Sequence, residues 1–182
     1  MSDREDPASE PEIQAWAGQE PWPRDAAGEL QIGGKPLSRV VDALGSTPCY
    51  LYDRARLAAR ARGLRARLPP QVLLHYAMKA NPMPAVVCHM AGLVDGIDVA
   101  SRGEMRIALD SGMSPEHISF AGPGKSEREL DQAVAAGILV NIESFREVDV
   151  LARSSERQGI PARVAVRVNL PFELKASGMK MA

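Results

Sequence analysis

Beyond Pro69-Pro70 the sequence repeats one pattern four times: a short apolar run rich in Val, Ile and Ala, a turn, then a longer amphipathic run. The apolar runs predict strands over 72–78, 93–100, 118–121, 138–142 and 163–168. The amphipathic runs predict helices over 84–91, 102–111, 127–136 and 144–158, with Gly137 closing the third and Ser144 capping the fourth. Strands joined through single helices lie parallel, and right-handed crossovers lay the helices over the sheet. The predicted fold class is therefore α/β with a parallel sheet.

Two architectures carry that pattern, an open doubly wound sheet and a (β/α)8 barrel of the TIM type. A doubly wound nucleotide fold wants a glycine-rich turn after its first strand. Here that turn reads Lys79-Ala80-Asn81-Pro82-Met83-Pro84, with no glycine. Gly122-Pro123-Gly124-Lys125-Ser126 resembles the tail of a phosphate loop, but Ile118 stands where the first glycine belongs and Pro123 removes an amide donor. A partial barrel remains, with about five of eight βα units. Side chains such as Leu73, Ile97 and Val140 are expected to point to its interior, uncovered until later strands close the ring.

The chain before the repeat is of another kind. Residues 1–28 are rich in Pro, Glu, Asp, Ala and Gly without periodicity, and read as a disordered leader; 29–182 read as the barrel domain. Leu30-Gln31-Ile32 predicts a short strand before a Gly33-Gly34 turn. Ser38 is expected to cap a helix over 39–44 closed by Gly45, and a second short strand is expected over 49–52. Asp53 is expected to cap a helix running to about Leu68, with Leu57, Ala61, Leu64 and Leu68 as its apolar stripe. Its six arginines invite a nucleic-acid or membrane reading, but no aromatic residues interleave them. A solvated face with aliphatic stems over the core fits better.

Composition narrows the function classes. No apolar run approaches the 18 or so residues of a membrane span, and no secretory leader is visible. Cys49 and Cys88 have no CxxC spacing and read as reduced thiols of a cytoplasmic protein. The three histidines form no metal-ligand pair, so no metal is expected. The net charge of −1 splits into −6 over residues 1–29 and +5 over the rest, too little to predict nucleic-acid binding.

Polar residues gather at the predicted carboxyl ends of the strands, where barrels hold their chemistry. Lys79 closes the first strand, with its stem in an apolar wall and its amine at the rim. Such a lysine attacks carbonyls when desolvation favours its neutral form; the competing reading is a solvated loop lysine. Asp98 sits near the end of the second strand with Ser101 and Glu104 just beyond, Lys125 follows the third, Asn141 and Glu143 end the fourth, and Arg167 and Asn169 end the fifth. By alternation His75, Ala77 and Lys79 share a face, as do Ala165, Arg167 and Asn169. His75 reads as a satisfied interior histidine, Asp98 or Glu104 as a helix-start acid, and Arg167 as a structural partner of Asp98 or Glu143.

These segments carry a resemblance. Tyr76-Ala77-Met78-Lys79-Ala80-Asn81 resembles the lysine segment of the fold-type III pyridoxal-phosphate decarboxylases, the family of diaminopimelate, ornithine and arginine decarboxylases with the alanine racemase-like barrel. Asp98-Val99-Ala100-Ser101-Arg102-Gly103-Glu104, Phe120-Ala121-Gly122-Pro123-Gly124-Lys125, Asn141-Ile142-Glu143-Ser144 and Arg167-Val168-Asn169 resemble later segments in the same order. The stretch over 171–181 looks most like a bacterial subgroup associated with exosortase gene clusters.

The resemblance implies that Lys79 forms the internal Schiff base with pyridoxal 5′-phosphate, that Asp98 neighbours lysine and cofactor, and that Arg167 is a polar contact of the cofactor. Glu104 becomes a supporting acid. It also implies decarboxylation of a small-molecule amino acid of the diaminopimelate or ornithine class, by a cytoplasmic homodimer without nucleic-acid or membrane partners. The family's ring-stacking histidine, phosphate loops and C-terminal β domain come after a fifth strand. The expectation is a truncated chain, inactive alone. The alternative is a non-catalytic interaction module pairing through its open sheet edge.

Overall fold

The computed structural model describes residues 22–168. Residues 1–21, most of the segment read as a leader, and residues 169–182, including Asn169, lie outside the described residues. The chain divides into two compact units, Met1–Leu68 and Pro69–Ala182.

In the first unit residues 22–28, read from sequence as part of the leader, carry structure. Arg24 bridges antiparallel to Leu30 around a turn in which Asp25 Oδ1 accepts the N–H groups of Ala27 (2.9 Å) and Glu29 (3.0 Å). β1 (Gln31–Ile32) turns through Gly33 and Gly34, both at positive φ, into β2 (Lys35–Pro36), which the sequence pattern does not reveal. α1 (Leu37–Leu44) starts earlier than expected. Ser38 lies inside it, its N–H donating to Glu29 Oε1 at 2.7 Å, while Gly45 ends it in the left-handed conformation. The strand expected over 49–52 does not form, because among the described residues no partner strand offers it a ladder. α2 (Arg54–Arg65) is capped by Asp53, whose Oδ1 accepts from Ala55 (2.8 Å) and Arg56 (3.2 Å), and it ends short of Leu68. The guanidinium of Arg56 stacks 4.3 Å over the Trp22 ring, so this arginine covers apolar surface.

The second unit is one parallel sheet. β3 (His75–Ala77), β4 (Gly96–Val99), β5 (Ile118–Phe120), β6 (Leu139–Ile142) and β7 (Arg163–Val166) lie side by side in sequence order, all parallel. α3 (Pro84–Ala91), α4 (Arg102–Asp110), α5 (Glu127–Ala136) and α6 (Phe145–Gln158) make the four crossovers. Strands that never reverse their order, each returning through one helix, are the unit of a (β/α)8 barrel and not of a doubly wound sheet, whose order reverses. The structure is a partial barrel of this kind.

Burial separates the two faces of the sheet. Ile97, Val99, Ile118, Phe120 and Val140 pack with Val87, Met105, Ala108, Leu130, Val134 and Leu151 from the helices. The alternate positions carry Gly96, Asp98, Ser119 and Asn141. This overturns the expected placing of Ile97 and Val140 inside the barrel: they are 0% and 1% exposed, facing the helices. Leu73 is 60% exposed but precedes the strand.

The helix starts are specified by side chains. Ser101 Oγ accepts the Glu104 N–H (3.3 Å), and Glu104 Oε2 accepts the Ala100 N–H (2.7 Å). Ser126 and Glu129 form a reciprocal capping box, and Glu129 Oε1 also accepts the Arg102 N–H at 3.0 Å, joining two helix starts. Ser144 holds the cap position of α6 without a side-chain bond; Glu147 Oε2 instead accepts the Glu143 N–H at 2.7 Å.

The Ser126 N–H, then its hydroxyl and the Arg102 N–H, hold the Glu129 carboxyl below its ordinary pKa against the opposing effect of burial. A carboxyl whose folded pKa is depressed stabilises the fold when ionised, and that contribution is lost as pH falls through the folded value. Ser126→Ala should cost about 1 kcal/mol at neutral pH. Glu129→Gln should lose stability at neutral pH and respond less steeply than wild type as pH falls below about 4.5. Urea denaturation at both pH values checks this; parallel acid responses would refute it.

Candidate active site at the carboxyl ends of the strands

β3 is shorter than the apolar run around it. Its pairing with β4 begins at His75↔Gly96, and ahead of it Asp95 Oδ2 takes the Leu74 N–H at 2.7 Å. After Ala77 the chain enters a 3-10 turn, Met78–Ala80, so Lys79 stands on a turn just past the strand instead of closing it. The neighbours of Lys79 brace that turn. Met78 is fully buried, the Tyr76 hydroxyl donates to Asn81 O (2.9 Å), and Asn81 Oδ1 accepts the Met83 N–H (2.9 Å). Lys79 is exposed, and among the described residues its amine has no hydrogen-bond or ion-pair partner. A tightly held backbone thus presents an unpaired amine.

Asp98 lies opposite Ala77 in the register. Its Oδ1 accepts the Ser119 hydroxyl at 2.6 Å and lies 2.9 Å from His75 Nδ1. Arg167 follows β7 and is tied there by its N–H, which donates to Ile142 O at 3.0 Å. Its guanidinium faces Glu143 Oε2 at 3.7 Å. Glu143 Oε1 accepts the Gly122 N–H at 2.8 Å, at a backbone position with φ 149 that only glycine takes readily.

Lys79, Asp98 and Arg167 line a single cavity of about 500 Å³, together with Ser119, Asn141 and Glu143. Three residues far apart in sequence therefore meet at the carboxyl edge of the sheet. Glu104 does not line it; its carboxylate serves the start of α4. Lys125, grouped with the rim residues from sequence, is also withdrawn. Its amine donates to Gly122 O and lies 3.1 Å from Glu147 Oε1 and 3.8 Å from Glu143 Oε1. The side chains of Lys125 and Glu147 are 1% and 2% exposed, so this is an internal counter-ion and not a phosphate ligand. Sequence reasoning missed Glu147 altogether and saw in Glu143 a rim residue and a partner for Arg167, not a neighbour of Lys125. A glutamate in the first turn of a helix looks like a dipole-favoured surface acid, and nothing local shows that a lysine from the preceding loop lies beneath it.

An amine, a carboxylate and a guanidinium around a cavity of this size suit an aldehyde that also carries anionic oxygens: the amine meets the aldehyde carbon, and the guanidinium an anionic oxygen. The donor set thus fits pyridoxal 5′-phosphate. Among the described residues no group of three or more His, Cys, Asp or Glu side chains is gathered as a metal site.

The fold and the cavity are those of an α/β barrel that carries its polar residues at the carboxyl edge of the strands. The chain belongs to the pyridoxal-dependent decarboxylases, the family's pyridoxal binding domain matching residues 54–180. It is 41% identical over 159 residues to diaminopimelate decarboxylase of Aquifex aeolicus, covering 84% of this chain and 37% of that protein. It is 38% identical to the L-glutamyl-[BtrI acyl-carrier protein] decarboxylase of Niallia circulans, covering 74% and 32%. The crystal structure of diaminopimelate decarboxylase from M. jannaschii superposes with a TM-score of 0.75 at 26% identity, over 87% of this chain and 38% of that one. The Helicobacter pylori enzyme complexed with L-lysine superposes with a TM-score of 0.64 at 33% identity, over 72% and 34%. The chain thus spans about a third of the length of the relatives it matches. No helix among the described residues is long and apolar enough to cross a membrane.

Removing one member of a buried ion pair strands the other. Lys125→Met should cost about 3–5 kcal/mol, and adding Glu147→Gln should restore much of it. Urea denaturation of the single and double variants checks the coupling; additive losses would show that the two do not interact.

Proposed function

We propose that this chain supplies the lysine-bearing half of the cofactor pocket in a pyridoxal-phosphate-dependent amino-acid decarboxylase. Its substrate class is that of diaminopimelate or ornithine, and the working enzyme is a cytoplasmic homodimer. The observation that carries this reading is the unpaired amine of Lys79 facing the cavity that Asp98 and Arg167 also line. When bound, pyridoxal phosphate supplies an electron sink for the charge left on the substrate α-carbon as carbon dioxide departs. Lys79 would hold the cofactor through its amine, and the braced turn would keep that amine placed to return a proton. Arg167, held from behind by Glu143, offers its remaining N–H groups to an anionic oxygen. Asp98 keeps one carboxylate oxygen toward the cavity as a proton acceptor.

Two measurements test this. Borohydride reduction in the presence of pyridoxal 5′-phosphate, followed by peptide mapping, should place the label on Lys79 ahead of Lys35 and Lys125; preferential label elsewhere overturns the assignment. In an active enzyme containing this segment, Arg167→Leu should lower kcat/KM by at least tenfold, the loss of one charge-assisted contact, with little change in Tm. Equal loss of activity and thermal stability would make Arg167 a structural residue.

A further inference from the structure

His75 finds its hydrogen-bond partner in a residue that lines the cavity. Its Nδ1 lies 2.9 Å from Asp98 Oδ1, and the same oxygen accepts the Ser119 hydroxyl at 2.6 Å. Two donors from the strands on either side of β4 therefore converge on one carboxylate oxygen. Among the described residues Oδ2 receives no hydrogen bond, and Asp98 lines the cavity that holds Lys79. A carboxylate oxygen only accepts, so Nδ1 carries the hydrogen.

The imidazole has a built seat. A Cβ at position 96 would lie 2.5 Å from His75 Cε1, from His75 Nε2 and from His117 O. No side chain fits there, and Gly96 is His75's register partner on β4. The glycine lets the ring lie against β4 with Nδ1 at Asp98, two residue pairs before the level of Ala77 and Asp98. Lys79 stands two residues beyond Ala77 on the same wall of the cavity.

We infer that His75 is a positioning residue for the chemistry of Lys79. With Ser119 it pins Asp98 Oδ1, so that Oδ2 stays turned to the cavity and takes, through solvent water, the proton that the Lys79 ammonium sheds before it can bond to an aldehyde. In that reaction the amine nitrogen bonds to the aldehyde carbon, and the aldehyde oxygen leaves as water with the two remaining amine hydrogens. Asp98 returns its proton to solvent. The inference rests on the role of Lys79 proposed above, and it adds a residue pair whose work is orientation.

The test uses pyridoxal 5′-phosphate as the probe and measures how fast Lys79 becomes trappable by borohydride, with Lys35 as the internal standard. His75→Leu removes the donor and should slow Lys79 labelling about tenfold, the loss expected for one hydrogen bond to a charged acceptor. His75→Asn restores an N–H near the Nδ1 position and should recover most of the rate, which a merely volume-filling role would not predict. Lys35 labelling should stay constant in both. Ser119→Ala tests the same pinning from the other strand should His75→Leu fail to fold. Independently, long-range ¹H–¹⁵N spectra of the histidine rings should show His75 protonated at Nδ1, reverting to the commoner Nε2 form in Asp98→Ala. An unchanged Lys79 rate in both His75→Leu and Ser119→Ala, or an Nε2-protonated His75 in the wild type, would overturn the inference while leaving Lys79 as the labelled residue. Failure of wild-type Lys79 to be labelled would overturn it together with the proposed function.

Discussion

A strand in a helix-covered parallel sheet can bury only every second side chain against the helices, and in this protein both core and site follow from that alternation. Ile97 and Val99 of β4, like Ile118 and Phe120 of β5, go to the helices and are almost wholly removed from solvent. Each such burial is worth about 1.5–3 kcal/mol, so a slip of one residue would expose several at once and carry the polar set into the helix layer. The polar face is therefore locked by the apolar one. Asp98 and Ser119 are register partners facing the cavity because the residues flanking them are committed to the core.

A second layer of order lies where the strands end. The amine of Lys125 is buried beneath the loops after β5 and β6, neutralised by Glu147 and bonded to Gly122 O. Glu147 in turn accepts the Glu143 N–H, and Glu143 takes the Gly122 N–H with one oxygen and faces Arg167 with the other. Burying charge is costly unless each group is paired, and here the pairing connects three loop segments, so the guanidinium of Arg167 rests on a support set by the core. Lys79 is treated differently: its turn is anchored by Met78 and by the bonds of Tyr76 and Asn81, while its own amine is left without a partner among the described residues. Structural charges are paired and buried; the charge proposed for chemistry is exposed and unpaired.

Much of the fold was legible because its signals are local. The bounds of α3 and α5 match the helices read over 84–91 and 127–136, the second closed by Gly137 as expected. The segments around Lys79, Asp98 and Arg167 could be read as a site because each sits at or near the carboxyl end of an apolar run, and they do line one cavity. Errors came wherever an apolar run was taken as a strand without a partner. Residues 49–52 have none, and 72–74 precede the first register pair of β3. The inward assignment of Ile97 and Val140 failed for a related reason: alternation relates residues within a strand but does not say which set faces the helices.

The amino-acid sequence by itself determined the order of elements, the parallel sheet and the three polar positions at strand ends, because hydrophobic period, turn residues and caps act over a few neighbouring residues. It did not determine that Lys125 is an internal counter-ion, that Glu143 and not Asp98 supports Arg167, or that His75 meets Asp98. Those pairs are separated by 18 to 24 residues, and the partners are chosen by strand register and by the depth at which each side chain leaves water. Both quantities exist only once the sheet has formed.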